Sequence, residues 1–517
     1  MGDSFPSVTA NLLSAQTAKT VDERSILLIG CMVSGTASSG DLVEDLNTKA
    51  AFNDAFGRTS QVANAGRALI DALSISRKKP KIAAIGLTDN ASGVAATGSF
   101  AFSGTATEKG TLTVYVDSIK YGKYTINVAK DDTATTIGAA LATAIGNNSD
   151  SPVTAANSSG TVTLTAVNDG TQGNAIGIKI DGSVAGITTT LTAMNSGATN
   201  PSLTNLFDVI DSKRFTSIVY PEDWGVSTLT TETEARFNVD NEIIDGLGIV
   251  CEADTYSNLN TSLDALNQKT LAYICNKLIS SSTHKGGAIF ENPLVIAAQF
   301  AAYRELRLTV GANISSITTN GQAIGGTFFG GIPYHNTPFA NLTAIESGND
   351  FINTEATELT SSGGILLRNN PANTAVICNE AVTTYKTDAL GGKDVTYKYV
   401  NYFDTLTLTR EYVFNNLKSD LSQSILTTGD LIQGRPMQNA ESITALIVSY
   451  YGILSGMNGE NSYVLLRAGE AERKAFKKAI EDSIVVTLST GTVTMESIAN
   501  IVTQVRDITI NFTPTFE

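Results

Sequence analysis

Residues able to do metal, nucleophilic or phosphate chemistry are sparse in this sequence. Its two histidines, His284 and His335, are far apart. The first lies in the polar stretch SSSTHKGG and the second in a proline-flanked turn. Neither has cysteines or carboxylates at the spacing that a zinc site of about four ligands requires. A serine triad would need one of them as its base, and no Gly-x-Ser-x-Gly elbow accompanies them. Gly246-x-Gly248 is half of a dinucleotide fingerprint. Cys251 stands in place of its third glycine, and the pair precedes a strand instead of opening a helix. Gly391-Gly392-Lys393 ends like a phosphate loop, but Asp394 follows where Ser or Thr belongs and Thr387 replaces the first glycine. No amide cradle for phosphate results. Carboxylates are plentiful, yet no stretch singles out a pair. The expectation is a chain with no catalytic, metal or cofactor site, and so not an enzyme.

Two other residue sets have a spacing that does physical work. From Asp507 onward the sequence alternates: Ile508, Ile510, Phe512, Pro514 and Phe516 fall on one face, and Asp507, Thr509, Asn511, Thr513 and Thr515 on the other. This period of two predicts a half-buried strand. With no hairpin partner following, the strand pairs either with its own chain or, by strand addition, with another subunit. The second set is basic. In RAGEAERKAFKKAIED, Arg473/Lys477 and Lys474/Lys478 are i,i+4 pairs, and Arg467 lies nearby. On a helix the four form one positive surface. It is either a solvated face offset by Glu470, Glu472 and Glu481, or a contact for an acidic partner.

Composition sets the frame for these sets. A chain of 517 residues allows roughly three domains. Apolar residues make up 42%, enough for sizeable cores, while charged residues are only 16% and the net charge is −15. An acidic balance argues against nucleic acid as the main partner and against an anionic membrane. No apolar run reaches membrane-spanning length. The start, MGDSFPSVTANLL, lacks the basic and apolar regions of a signal peptide, and Pro6 breaks the myristoylation pattern. Cys31, Cys251, Cys275 and Cys378 each lie in or beside an apolar run with no C-x-x-C pair, and read as small core residues in a reducing compartment.

The pattern along the chain predicts the elements. Ser25–Met32 and Lys81–Leu87 are short continuous apolar runs, hence buried strands. Between them Lys49–Phe56 and Gln61–Ile75 read as helices, with Gly57 ending the first and Ser60 capping the second. Strands are expected at Thr111–Asp117, Tyr124–Ala129, Thr161–Ala166 and Ala175–Ile180. A helix is expected over Asp131–Ile145, and an Asn168-Asp169-Gly170 turn joining the last two of those strands. Further on, Thr216–Tyr220, Leu247–Cys251 and Leu271–Asn276 read as strands. Thr230–Asp245, Ser257–Asn267 and a long amphipathic Asn292–Val310 read as helices, and Gly321–Pro333 as a glycine-rich loop. GGILLR, TAVICN and VTYKYVNYFD read as strands. Helices from Asp404 to about Ile425, over Asn439–Leu454 and over Gly469–Asp482 follow, then a strand over Ile484–Leu488. The fold class is mixed α/β and α+β, with several domains. An α/β core (25–90 and 202–362) is interrupted by an inserted β-rich domain (91–201). A C-terminal α+β domain (363–504) follows, with extended arms at 1–24 and 505–517.

Several of these segments, taken together, resemble the tail sheath proteins of contractile-tailed bacteriophages, the Mu-like branch in particular. They are ILLIGCMVSGTA (26–37), the FG-x-x-S turn from Phe56 to Ser60, VANAGRALIDA (62–72) and KIAAIGL (81–87). Within the β-rich stretch they are ATGSFAFSGTATEKGTLTVYVD, DDTATTIGAALATAI and NDGTQGNAIGIKI, and later VTTYKTDALGGKDVTYKYVNYFDTLTLTREYV (382–413). The N-terminal arm departs from the pattern: a Pro-Gly-type turn before Ala15 is missing. The resemblance implies a structural subunit that forms stacked hexameric rings around a tail tube. Terminal arms would add strands to neighbouring subunits, and a helix of the C-terminal domain would touch the tube. Contraction of a lattice assembled in a high-energy state would drive the tube through the host cell envelope without nucleotide hydrolysis. Carried onto this chain, Ile508, Ile510, Phe512 and Phe516 belong to the donated strand, and Arg473, Lys474, Lys477 and Lys478 to the tube contact. The implied partners are copies of itself, the tail tube protein, and baseplate and tail terminator proteins, with no nucleic acid and no membrane insertion. The implied location is the virion tail, assembled in the host cytoplasm. The alternatives are the sheath of a related injection device or bacteriocin particle, a surface adhesin suggested by the Thr/Asn/Gly-rich stretch, and an enzyme with a ligand crevice at the strand ends of the α/β layer.

Overall fold

The computed structural model describes residues 24–76, 79–238, 243–308, 313–319, 322–325, 334–454, 485–489 and 492–496. The first apolar run forms Ser25–Cys31 (β1), buried at every residue. Leu42–Val43 (β2) and two helices follow, Lys49–Phe56 (α1) and Gln61–Leu73 (α2). Thr48 caps α1 by accepting from the Ala51 amide, and Ser60 caps α2 by accepting from Ala63. Gly57 ends α1 at φ 81°, where a Cβ would lie 2.2 Å from the Ser34 carbonyl oxygen, so the turn requires glycine. Lys81–Leu87 (β3) returns parallel to β1 over seven pairs, from Ser25 with Lys81 to Cys31 with Leu87.

A threonine-rich stretch comes next: Ala95–Gly104 (β4), Gly110–Val116 (β5), Ser118–Val128 (β6), Ala134–Gly146 (α3), Val153–Ser158 (β7), Thr161–Asp169 (β8), Ile178–Asp181 (β9) and Ile187–Asn195 (β10). One antiparallel sheet runs β10-β4-β8-β7, and β6-β5-β9 form a second ribbon. Phe100, Leu112, Leu141, Leu164 and Ile178 meet between them in a core of their own. β4, β7 and β10 escape the sequence reading, because their Thr, Ala and Gly residues give weak alternation. The Asn168-Asp169-Gly170 segment is not a hairpin turn. β8 pairs with β4 and β7, whereas β9 pairs with β5 and with a strand far ahead.

The parallel layer resumes with Ser217–Val219 (β11), Ser227–Phe237 (α4), Leu247–Asp254 (β12), Tyr256–Asp264 (α5) and Leu271–Ser280 (β13). His284–Gly287 (β14) and Pro293–Leu308 (α6) follow, then Asn313–Thr319 (β15), Gln322–Gly325 (β16), Pro338–Phe339 (β17), Asn353–Ser361 (α7), Gly364–Asn369 (β18) and Val376–Glu380 (β19). The parallel order is β3-β1-β11-β12-β13-β18. One apolar cluster covers one face with α1, α2 and α6, and a second covers the other with α4, α5 and α7. β14 pairs antiparallel with both β13 and β9, which joins the layer to the threonine-rich ribbon. Val400–Leu421 (α8), Ile425–Leu426 (β20), Met437–Gln438 (β21) and Ala440–Leu454 (α9) follow, with the hairpin Val485–Ser489 (β22) and Thr492–Glu496 (β23). Val413, Ile443, Ile447 and Tyr450 make a small core between α8 and α9. The architecture is mixed α/β.

Several expectations are corrected. VTYKYVNYFD is not a strand. Helix α8 already begins at Val400, and its buried Val400, Phe403, Asp404 and Leu408 follow a helical period. The alternating aromatics that suggested a strand lie in the turns before it and in the first helical turn. α6 is not amphipathic: every residue from Leu294 to Leu308 is buried, Gln299, Arg304, Glu305 and Arg307 included. α4 spans Ser227–Phe237 rather than Thr230–Asp245. His284 is no loop residue. It is buried in β14 with its ring 5.4 Å from that of Phe290, and burial lowers its pKa. Gln322–Gly325 within the expected glycine loop is a strand. The basic helix Gly469–Asp482 and both terminal arms (save Arg24) lie outside the described residues. Among the described residues no helix is long and apolar enough to cross a membrane.

Candidate functional sites: a plugged crevice and a buried ionic seam

An open parallel sheet offers a ligand crevice where successive connections leave in opposite directions. Here that point lies between β1, whose chain continues to β3, and β11, whose chain continues to β12. The protein fills it with its own side chains. Asn168 Nδ2 donates to the Met32 carbonyl at 3.0 Å and to Asp89 Oδ1 at 3.1 Å, while its Oδ1 accepts from the Gln61 amide at 3.1 Å. Gln172 Nε2 reaches Cys31 Sγ at 2.9 Å, and its Oε1 accepts from Trp224 Nε1 at 3.4 Å. Thr171 Oγ1 donates to Asp223 Oδ2 at 2.5 Å. The NDGTQ segment is therefore a plug, seated across the carboxyl ends of β1 and β11.

Beside the plug, at the ends of β11, β12 and β13, lies an open cavity of about 400 Å³. Glu222 and Glu252 both line it, and the Tyr273 hydroxyl lies between them, donating its one proton to Glu252 and standing 3.1 Å from Glu222 Oε1. Burial, and then the neighbouring Glu252 charge, push the Glu222 carboxyl up to about 8. Glu252 is raised by burial as well. The pair thus holds a proton at neutral pH. Among the described residues no group of histidine, cysteine and carboxylate side chains could hold a metal ion. All four cysteines are free and buried, and burial pushes the Cys378 thiol up to about 12.

The second arrangement is an ionic seam between α6 and α8. Arg304 donates through Nε and Nη2 to Asp404 Oδ1 at 3.0 and 2.6 Å. Its Nη1 reaches Glu305 Oε1 at 2.7 Å, Ser217 Oγ at 2.7 Å and the Thr216 carbonyl at 2.6 Å. Tyr334 donates to the other oxygen of Asp404 at 2.6 Å. Nearby, Arg24 and Arg214 both meet Glu411 Oε2 at 2.9 Å, and Arg214 meets Asp245 at 3.0 Å. Burial would lower Arg304, but Asp404 and Glu305 hold it above its ordinary value. So many charges withdrawn from water hold one geometry or none, since each is satisfied only by its partners. The seam locks β1, β11 and α6 of the layer to α8.

Of the residues singled out from the sequence, Asn168 and Cys31 meet in the plug and Cys251 lines the cavity. Ile508, Ile510, Phe512 and Phe516, like Arg473, Lys474, Lys477 and Lys478, lie outside the described residues. The sequence did carry one signal for the seam. Arg304, Glu305 and Arg307 interrupt an otherwise apolar helix with charges on more than one side, as a helix buried all round requires of its partners. The plug carried none, because Asn and Gln beside glycine read as an ordinary turn.

The class of protein to which this chain is similar is the phage tail sheath. No family model matches the sequence. The Mu-like prophage FluMu tail sheath protein of Haemophilus influenzae is 25% identical over 250 residues, covering 47% of this chain and 50% of that relative. The match thus spans about half the relative's length. It bears the same name as the resemblance read from the sequence. Among solved structures, a sheath tail protein from Listeria innocua is 12% identical, covers 91% of this chain and 90% of its own, and superposes with a TM-score of 0.43. One from Desulfitobacterium hafniense is 10% identical, over 90% of this chain and 91% of its own, at 0.44. A chain of the anti-feeding prophage baseplate is 11% identical, over 61% of this chain and 73% of its own, at 0.37.

Proposed function

We propose that this chain is the structural subunit of a contractile tail sheath. It polymerises as stacked hexameric rings around a tail tube and contracts to drive the tube through a host cell envelope. The similarity to the FluMu tail sheath protein carries the reading. The fold is consistent with it, since the crevice that would serve an enzyme is filled by Asn168 and Gln172. In this reading sheets of neighbouring copies accept the arms, the alternating strand of Ile508, Ile510, Phe512 and Phe516 among them. Residues 25–90 and 202–362 form the sheath core, 91–201 the inserted domain, 363–504 the C-terminal domain, and 1–24 and 505–517 the arms. Arg473, Lys474, Lys477 and Lys478 contact the tube. The partners are further copies, the tube protein, and baseplate and terminator proteins. The assembly forms in the host cytoplasm and resides in the virion tail. A phage tail and a related injection or bacteriocin particle share this mechanism.

Negative-stain electron microscopy of the purified chain at high concentration tests the reading. Hollow striated cylinders of uniform width are expected, and removal of residues 506–517 should abolish them. A monodisperse monomer under every salt and pH condition would overturn the proposal.

A further inference from the structure

Two features stand at opposite ends of the parallel layer. One is a knob at the amino ends of the strands. Thr384 donates its amide to the Leu271 carbonyl at the start of β13, at 3.1 Å. Asn267 Oδ1 then accepts from the amides of Lys386 and Thr387 at 2.7 and 3.1 Å. Asp388 Oδ1 gathers the amides of Leu390 and Gly392 at 2.9 and 2.8 Å, and Tyr385 donates to Asp394 at 2.7 Å. This loop is tied at every step, yet it holds Leu390 95% exposed and Val395 52% exposed at its tip. A leucine fixed in water on a pre-ordered turn has already lost much of the entropy that docking would otherwise remove.

The other feature is a hole. The cavity of about 400 Å³ at the carboxyl ends has an apolar side of Met194, Leu278 and Leu294. Its acidic side carries Glu222, Asp223, Glu252 and Asp254, with Lys285 the basic residue among them. Leu278 at this end is 41% exposed. β13 runs from the knob end to the hole end over ten residues, a span of about 30 Å.

We propose that the Leu390 knob of one copy seats in the cavity of a second copy, with the exposed Lys393 meeting its acidic wall. This deepens the sheath reading and rests on it. The complementarity is of shape class and of charge: an apolar tip beside a lysine, against an apolar wall beside four carboxyl groups, one of them protonated at neutral pH. Since knob and hole sit on opposite ends of one layer, the contact is head-to-tail and builds an open file of subunits, not a closed pair.

The test compares assembly of the wild-type chain, L390D, and a chain carrying both L390C and L278C, with each single cysteine variant as control. The native cysteines are buried, so a short bis-maleimide will couple only the introduced thiols. L390D should keep the wild-type circular dichroism and melting profile, while the concentration needed for assembly rises roughly ten- to hundredfold. The double variant should yield a ladder of dimers, trimers and higher species, and the single variants none. Wild-type-like assembly of L390D, or particles whose double variant gives no ladder, would overturn the knob-and-hole contact and leave the sheath reading standing. Failure of the wild-type chain to assemble would remove both.

Discussion

In β1 all seven residues are buried, whereas along β8 buried residues alternate with partly exposed ones. The two regions they belong to close their interiors differently. The parallel layer has helices on both faces, so its strands are apolar throughout, and charges that enter it must be sealed against one another, as Arg304, Asp404 and Glu411 are. The threonine-rich region has strands with one wet face. Its core of Phe100, Leu141 and Leu164 is a cluster of apolar side chains, and the threonines of β8 are at least partly exposed. The layer should therefore be sensitive to the loss of a single charge partner and the threonine-rich region to lost volume.

The largest effect is expected at the seam. Asp404→Ala strips Arg304 of two hydrogen bonds and leaves Tyr334 without its acceptor, which should cost about 3–5 kcal/mol. Urea unfolding of the monomer at low salt and at about 1 M salt measures it. A salt-dependent loss well below that range would mean the seam is solvated and the contrast false. Next comes Leu164→Ala, a cavity in the other core, at about 3 kcal/mol. Hydrogen exchange should then rise across 95–195 while 217–280 keeps its protection. A uniform rise would show that the two regions open as one unit, joined through β14.

The smallest effect is a pH slope. Glu222 titrates near 8 in the folded chain, against an ordinary glutamate value of 4.5. The folded chain thus holds a proton that the unfolded chain releases. Stability should fall as pH climbs from about 4.5 to about 8, by on the order of 1 kcal/mol after solvent relaxation, and level off above. Glu222→Gln should flatten that slope, followed through Trp224, the single tryptophan. An unchanged slope would assign it to Glu252 or elsewhere.

Much of the parallel layer was readable because burial on both faces leaves continuous runs such as SILLIGC and KIAAIGL. Caps at Ser60 and Gly57 were readable because those residues act locally. Misreadings arose where meaning came from distant parts of the chain. Asn168 and Gln172 look like turn residues until β1 and β11 are brought beneath them. The charges of α6 look like a wet face until α8 supplies Asp404. Glu222 and Glu252 lie thirty positions apart and meet only because β11 and β12 are neighbours. Strands β4, β7 and β10 take their register from antiparallel partners, not from their own alternation.

The anchoring of Arg24 has a mechanical consequence. Its guanidinium is held by Glu411 of α8, and one residue later the chain enters β1, flanked on both sides by β3 and β11. Tension arriving through the preceding residues would reach α8 directly and pull β1 along its own axis. Strands pulled that way resist in shear, with all their hydrogen bonds strained together instead of parting one at a time. Residue 24 is therefore placed as a hitch, able to pass a pull from outside the layer into both the sheet and the C-terminal helices before either yields.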